Sequence, residues 1–510
     1  MCDKLITQKG ENMSKPIRYV FKDGLELFYR KCKANNATQF VAGLRMGSYD
    51  NGKTPGLAHF FEHMMFKGTK KHSVEELNEI RGQRISSFNA HTSNKFLWFD
   101  FYESNKRLEE GMKLTSEMIF DSIFPEEELE KEKGVIKQEY FRTKDNDIYF
   151  LIHKLLTAMV NKLSVMNVYD SVFGTPEQID SYNRKNFMDF RKKYLYSNNF
   201  VVSASGSMPF RKFKRLVRKY FNDRLEENPK LKTFDEKTLK ISGKPCLIVE
   251  KRDREKISYV VFIKNNTKNP FSTYREEVIY GLIVDMMNSP DGKLWKKLRE
   301  EKGLTYSSSS SSYRNNNNGA FGFRIETTAD KVNESLDAIR SVVIDYLNEG
   351  FKAQTLKELK ESIILDDDKI IKSPNKWPLR AIRLWDDYNR FIKRKEYIKT
   401  LKTVTLQEVN IMFRRLFCQT NDVYFGIIGK VEEKDFYSYN KIRKIFNFRK
   451  YSDKKTDIEN SDVKVSENDK NKKTDHNSET YNDKSKVKNQ SEDVIFVDKK
   501  SKNKIKDKKK

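Results

Sequence analysis

The sequence predicts an α+β protein of two homologous domains, each a mostly antiparallel sheet packed with helices, followed by a disordered C-terminal tail. Three observations lead there. Segments that alternate every second residue are interspersed with segments whose apolar residues recur at helical spacing. The pattern of the front half returns in the back half, at a separation of well over two hundred residues, which is a duplicated domain and not a solenoid. From Tyr451 to Lys510 the sequence collapses to Lys, Asp, Asn, Ser and Glu; apart from Val494 to Val497 it has too few apolar residues to order itself. At 510 residues the chain is too long for one core, and two domains or more is the default. The expected division is 13–225 for the first domain, 226–245 for a polar linker, 246–448 for the second domain and 449–510 for the tail.

Composition narrows the function classes. Hydrophobic content of 37%, with 35 Phe, is enough for two cores, while a mean hydropathy of −0.79 marks part of the chain as solvated. No run approaches the roughly eighteen apolar residues of a membrane span. Met1 to Lys15 mixes charge and polarity without an apolar stretch, so no secretory signal is expected; Met13 offers a second start. The four cysteines, Cys2, Cys32, Cys246 and Cys418, form no C-x-x-C pair, which argues against a cysteine metal site and fits a reducing, cytoplasmic setting. A formal charge of +26 would permit anionic partners. The lysines are dispersed among many acids with no compact, aromatic-interleaved basic block, so neither nucleic acid nor membrane is expected as a partner.

Taken in order, Phe40 to Gly47 reads as a strand leading to Gly56-Leu57-Ala58-His59-Phe60-Phe61-Glu62-His63. On a helix, residues four apart lie one above the other, so the His59 and His63 imidazoles face one point, with Glu62 at the side of the pair. With only 6 His in 510 residues, chance produces this arrangement roughly half a per cent of the time. Two neutral imidazoles suit zinc, and a catalytic zinc needs a third protein ligand and one open position. The order His-x-x-Glu-His is the inverzincin signature, the reverse of the commoner zincin pattern. Ser73 and Glu76 form a capping box for a short helix, Val74 to Ile80. Phe88 to Ser93 follows, then an aromatic alternating strand, Phe96 to Tyr102, and a helix from Leu108 to Ile119.

Pro125 with Glu126, Glu127 and Glu128 starts a further helix, with proline in its first turn and acids at the positive end of its dipole. Leu129, Glu132, Ile136 and Glu139 fall on one face of it; two carboxylates on an apolar stripe are costly to bury unless something positive lies opposite. Phe200 to Gly206 reads as a buried strand before a basic amphipathic helix ending near Tyr220 and Phe221. Phe351 to Asp366 then echoes Phe124 to Glu139, and Val423 to Gly429 with the helix to Phe446 echoes Phe200 to Phe221. The second copy has no histidine, because none occurs between His153 and His476, so only the first can hold the metal.

GLAHFFEHMMFKGT, FNAHTS, LEKEKGVIKQE and LREEKGLTYS, in that order on a duplicated chain, resemble the pitrilysin superfamily, which includes insulin-degrading enzyme and the mitochondrial processing peptidase, in its half-length form. The resemblance covers about Ile17 to Phe448. It implies a zinc metalloendopeptidase with one zinc ion per chain, held by His59, His63 and Glu139. It makes Glu62 the general base and Glu132 a catalytic-site carboxylate that supports the ligands from behind. Asn89 and Ala90 match an edge strand that pairs with the substrate backbone, and His91, sharing Asn89's face, is a candidate to line the same cleft. Lys95 and Phe96 depart from the acidic-then-hydroxyl pattern that should follow this strand. Arg299 and Tyr306, with Gly303-Leu304 between them, match residues that reach the substrate carbonyl; Ser307 to Ser312 and Asn315 to Asn318 read as a polar hairpin. Because this chain has two domains where long relatives have four, Arg299 and Tyr306 would come from a second subunit closing a chamber around a peptide. The partner would be a second copy or another half-length member of the family. The alternative is a non-catalytic scaffold subunit of such a pair.

Overall fold

Each half of the chain gathers its alternating segments into one sheet. The computed structural model describes residues 15–32, 36–160, 172–234, 242–265, 273–314, 319–372, 375–418 and 422–451. Of the expected tail, 449–451 form a 3-10 turn; the rest lies outside the described residues, as do Asn315–Asn318 and part of the linker. The first sheet contains β1 (Ile17–Val20), β2 (Glu26–Lys31), β3 (Ala37–Leu44), β4 (Asn89–Thr92), β5 (Leu97–Ser104) and β6 (Phe200–Gly206), in the order β1-β2-β6-β3-β5-β4. The second contains β7 (Leu247–Lys251), β8 (Ile257–Asn265), β9 (Ser307–Arg314), β10 (Gly319–Thr327) and β11 (Val423–Gly429), in the order β7-β11-β8-β10-β9. β2–β6 and β7–β11 pair parallel, and every other pairing is antiparallel. From β2 onward the two orders match strand for strand, with β4 and β9 as equivalent edges. The duplication read from the sequence is therefore a duplication of topology.

Several boundaries differ from expectation for local reasons. β3 ends at Leu44 because the Asp50 carboxylate takes the Gly47 N–H, at 3.1 Å, and turns the chain away from the ladder. The strand expected from Phe96 begins at Leu97 and runs to Ser104, burying alternate residues. The serine-rich segment is β9, an edge strand paired with β10.

Five helices of the first half matter for the site: α1 (Leu57–Met64), α2 (Val74–Arg84), α3 (Leu108–Asp121), α4 (Glu126–Lys144) and α5 (Asp147–Met159). α2 has the capping box expected of Ser73 and Glu76 but runs a turn past Ile80, where Arg81 and Arg84 suit the negative end of its dipole. α5 was not legible as an element, and it belongs in space to the other half. Its Leu151, Leu155, Leu156 and Met159 pack with Val260, Phe262, Tyr424 and Ile428 on the second sheet. Asp147, at its start, accepts from Arg252 at 2.8 Å in the β7–β8 turn. The helix Trp377–Tyr388 returns the exchange, placing Ala381, Ile382 and Trp385 on Phe28, Val41 and Val201 of the first sheet. Both faces of β3 and β6 are thus covered, which is why every residue of either strand is buried. No helix among the described residues is long and apolar enough to cross a membrane.

Candidate metal centre

α1 is a short helix held rigidly at its start. Gly56 caps it at φ +81, a left-handed conformation, and a Cβ there would come within 2.2 Å of the Phe173 carbonyl, so this position admits only glycine. Asn51 Oδ1 accepts from the Ala58 N–H at 2.9 Å, satisfying one of the free donors of the first turn. Phe60 and Phe61 anchor the inner face on Phe187, Phe190 and Phe124. The opposite face then presents His59, Glu62 and His63 to an open cleft of about 760 Å³.

The three expected ligands converge. His59 Nε2 and His63 Nε2 are 3.2 Å apart, and Glu139 Oε2, from α4, is 3.7 Å from each. Ligand atoms about 2.0–2.1 Å from a tetrahedral zinc stand roughly 3.3 Å from one another, so this triangle matches the ion to within a few tenths of an ångström. Among the described residues, this trio is the group of metal-binding side chains whose donor atoms all lie within 4.8 Å of one another. Burial, and then the neighbouring His63, push the His59 imidazole down to about 3, which keeps it a neutral donor.

Glu132 stands against His63. It is buried on α4 and its Oε1 accepts from His63 Nδ1 at 2.7 Å, which leaves Nε2 free to face the centre. Its Oε2 pairs with Lys67 at 2.5 Å, so the buried carboxylate has an N–H donor on one oxygen and a cation on the other. Burial raises the Glu132 carboxyl, but the hydrogen bonds from His63 and Lys67 outweigh it and hold the group below its ordinary range. Burial likewise lowers His63, and the bond to Glu132 with the nearby Glu62, Glu132 and Glu139 charges turns the net shift upward.

Glu62 is buried beside the trio, and Thr92 Oγ1 donates to its Oε2 at 2.7 Å. Burial holds the Glu62 carboxyl above its ordinary range despite that bond. Neither Thr92 nor Lys67 was singled out from the sequence, although both lie inside the motif stretches FNAHTS and FKGT.

β4 forms the rim. Among the described residues it pairs with β5 alone and is the outer strand of its sheet. Asn89 and His91 are exposed on one face, joined at 3.2 Å, while Ala90 points inward and is buried. His91 lies near Asp100 Oδ1, at 3.4 Å, and stacks on Trp98. All three line the cleft with Glu62 and the ligand trio. Lys95 and Phe96 fall just beyond β4, outside the cleft lining; Phe96 stacks on Trp98.

The structure does not bring Arg299 and Tyr306 to this cleft. Arg299 lies on the π-helical turn Lys296–Glu301, donates to the Tyr306 carbonyl at 2.7 Å and stacks on Trp295 and Tyr306. Tyr306 is 78% exposed. Gly303, at φ +56, makes the turn that places the two together.

Residues 40–168 match the family described as Insulinase (Peptidase family M16), and residues 181–363 match the Peptidase M16 inactive domain. The chain belongs to the M16 peptidase family. Its first copy has the His-x-x-Glu-His segment, and the stretch matching the inactive domain has no histidine. Among curated relatives, an uncharacterized zinc protease of Bacillus subtilis, YmxG, is 25% identical over 422 residues, 81% of this chain and 98% of its own. The fold is shared with a peptidase M16 inactive domain from Pseudomonas fluorescens, at TM-score 0.70 and 14% identity, covering 82% of this chain and 98% of that one. It is shared too with the periplasmic protease PqqL of Escherichia coli, at TM-score 0.67 and 17% identity, where 87% of this chain covers 50% of PqqL. This M16 protein is the half-length form.

Proposed function

We propose that the chain is a zinc metalloendopeptidase acting on peptides or unfolded short proteins. The observation that carries this reading is the triangle of His59, His63 and Glu139 with the Glu62 carboxylate beside it. Those three side chains would hold the ion, which when bound polarises a peptide carbonyl and acidifies a nearby water. Glu62 Oε2 is occupied by Thr92, leaving Oε1 to accept the proton of the attacking water. The same carboxyl then delivers that proton to the leaving amine. Its upward shift from burial suits a group that must both take and return a proton. Glu132 and Lys67 keep His63 in one tautomer throughout. β4 is the edge strand of its sheet among the described residues, and its outer side is where an extended substrate would add as a further strand.

The half-length chain, spanning half of PqqL, supports a dimer in which a second half-subunit, identical or related, closes the chamber and supplies Arg299 and Tyr306. A non-catalytic scaffold role would leave the complete set of His59, Glu62, His63 and Glu139 without use. Zinc analysis and cleavage of a quenched peptide separate the two. A peptidase gives one zinc per chain in wild type and in Glu62→Gln, with cleavage falling by roughly 100- to 10,000-fold in the variant. Zinc-free protein that cleaves nothing would establish the scaffold.

A further inference from the structure

Two guanidinium groups in the cleft have no counter-ion among the described residues. Arg81 is the third member of a stripe, Val74, Asn78 and Arg81, that α2 turns toward the cleft. Its guanidinium lies over the Phe66 ring at 4.6 Å, and its Nε is buried without a hydrogen-bond partner among the described residues. Arg142 is on α4, three residues beyond Glu139, lines the same cleft and is exposed. Neither forms an ion pair among the described residues. The remaining cation of the lining, Lys67, is neutralised by Glu132. Among the described residues no carboxylate of the cleft pairs with either arginine: Glu132 meets His63 and Lys67, Glu139 faces His59 and His63, and Glu62 accepts from Thr92.

A half-buried guanidinium with an orphaned donor is costly unless something supplies the missing acceptor. Its planar face is already fixed on Phe66, so little side-chain freedom remains to be lost when a planar anion meets it. The chemistry that completes such a site is a carboxylate, which accepts two parallel N–H bonds from one guanidinium. No described residue provides that acceptor, and a peptide lying in the cleft would bring one.

We propose that Arg81, assisted by Arg142, selects peptides presenting a carboxylate close to the bond being cut. This rests on the peptidase reading and names its substrate class. The carboxylate has two sources, an Asp or Glu side chain or a free C-terminus, and both would be recognised by the same groups.

The test uses zinc-loaded Glu62→Gln protein and fluorescent peptides read by anisotropy, so that binding is measured without turnover. Four matched peptides are compared: Glu-containing or Gln-containing, each with a free or an amidated C-terminus. At least one carboxylate-bearing form should bind about tenfold or more tightly than the peptide lacking both. The Glu-versus-Gln and acid-versus-amide differences tell the two sources apart. In the Arg81→Gln background the preference should fall to about twofold, and Arg81→Lys should recover part of it, since a point charge replaces the fork only incompletely. Arg142→Gln should weaken the preference to a lesser degree and serves in place of Arg81→Gln if that variant does not fold. Equal binding of all four peptides, or a preference unchanged by both arginine substitutions, overturns the proposal. Cleavage of a neutral quenched peptide by wild-type protein reports separately on the peptidase reading: activity without carboxylate preference sinks only the specificity.

Discussion

At the scale of single residues, the proposed centre would depend on groups that do not touch the ion. Glu132 fixes the tautomer of His63 through a 2.7 Å bond. Replacing it with Gln keeps the shape but removes the charge, and zinc affinity measured by competition with a chelator should fall about 10- to 100-fold. An unchanged affinity would show that His63 needs no such support. Thr92 stabilises the charged form of Glu62. Thr92→Val removes that bond, so the carboxyl rises further and holds its proton to higher pH. The acid limb of the kcat/KM profile should therefore move to higher pH; a shift to lower pH would contradict the assignment of Glu62 as base. Legibility at this scale followed sequence distance. Helical geometry relates His59, Glu62 and His63 to one another and Glu132 to Glu139, whereas joining Glu139 to the histidines on another helix rested on the family resemblance. Thr92 is thirty residues from its partner and Lys67 sixty-five from Glu132, and only the packing of β4 and α1 against their neighbours makes those pairs.

At the scale of elements, the decisive feature is the exchange of helices between halves. Strands such as β6 and β11 were readable to the residue because each is a short run with β-branched and aromatic residues that ends at a glycine, too short for a helix of ordinary length. α5 has a good apolar stripe, but which sheet it covers is a tertiary fact that no local pattern specifies. Its contribution can be measured. Leu155 is fully buried between α5 and the second sheet, so Leu155→Ala should lower unfolding free energy by about 2–5 kcal/mol in denaturant titration. Because α5 also brings Tyr149 to the metal cleft, the same variant should disturb the site although the substitution lies on the opposite sheet. A loss under about 0.5 kcal/mol, typical of a surface position, would mean that α5 is not docked as described.

At the scale of the whole molecule, the half-length chain has His59, His63 and Glu139 in its first copy and Arg299 with Tyr306 in its second, yet the latter do not line the first copy's cleft. If two chains complete each other's sites, Glu62→Gln and Arg299→Ala, each inactive alone, should complement on mixing. Random exchange makes half of the dimers mixed, with one intact site of two, so activity should return to about a quarter of wild type in a two-fold symmetric dimer. Mixed dimers that stay inactive would place Arg299 outside the composite site. The central claim is narrower, that His59, His63 and Glu139 together hold one zinc ion. Anomalous diffraction at the zinc edge from crystals of the metal-loaded protein tests it directly. The account predicts one peak per chain, about 2.0–2.2 Å from both Nε2 atoms and the Glu139 carboxylate; a peak away from Glu139, or none, would contradict it.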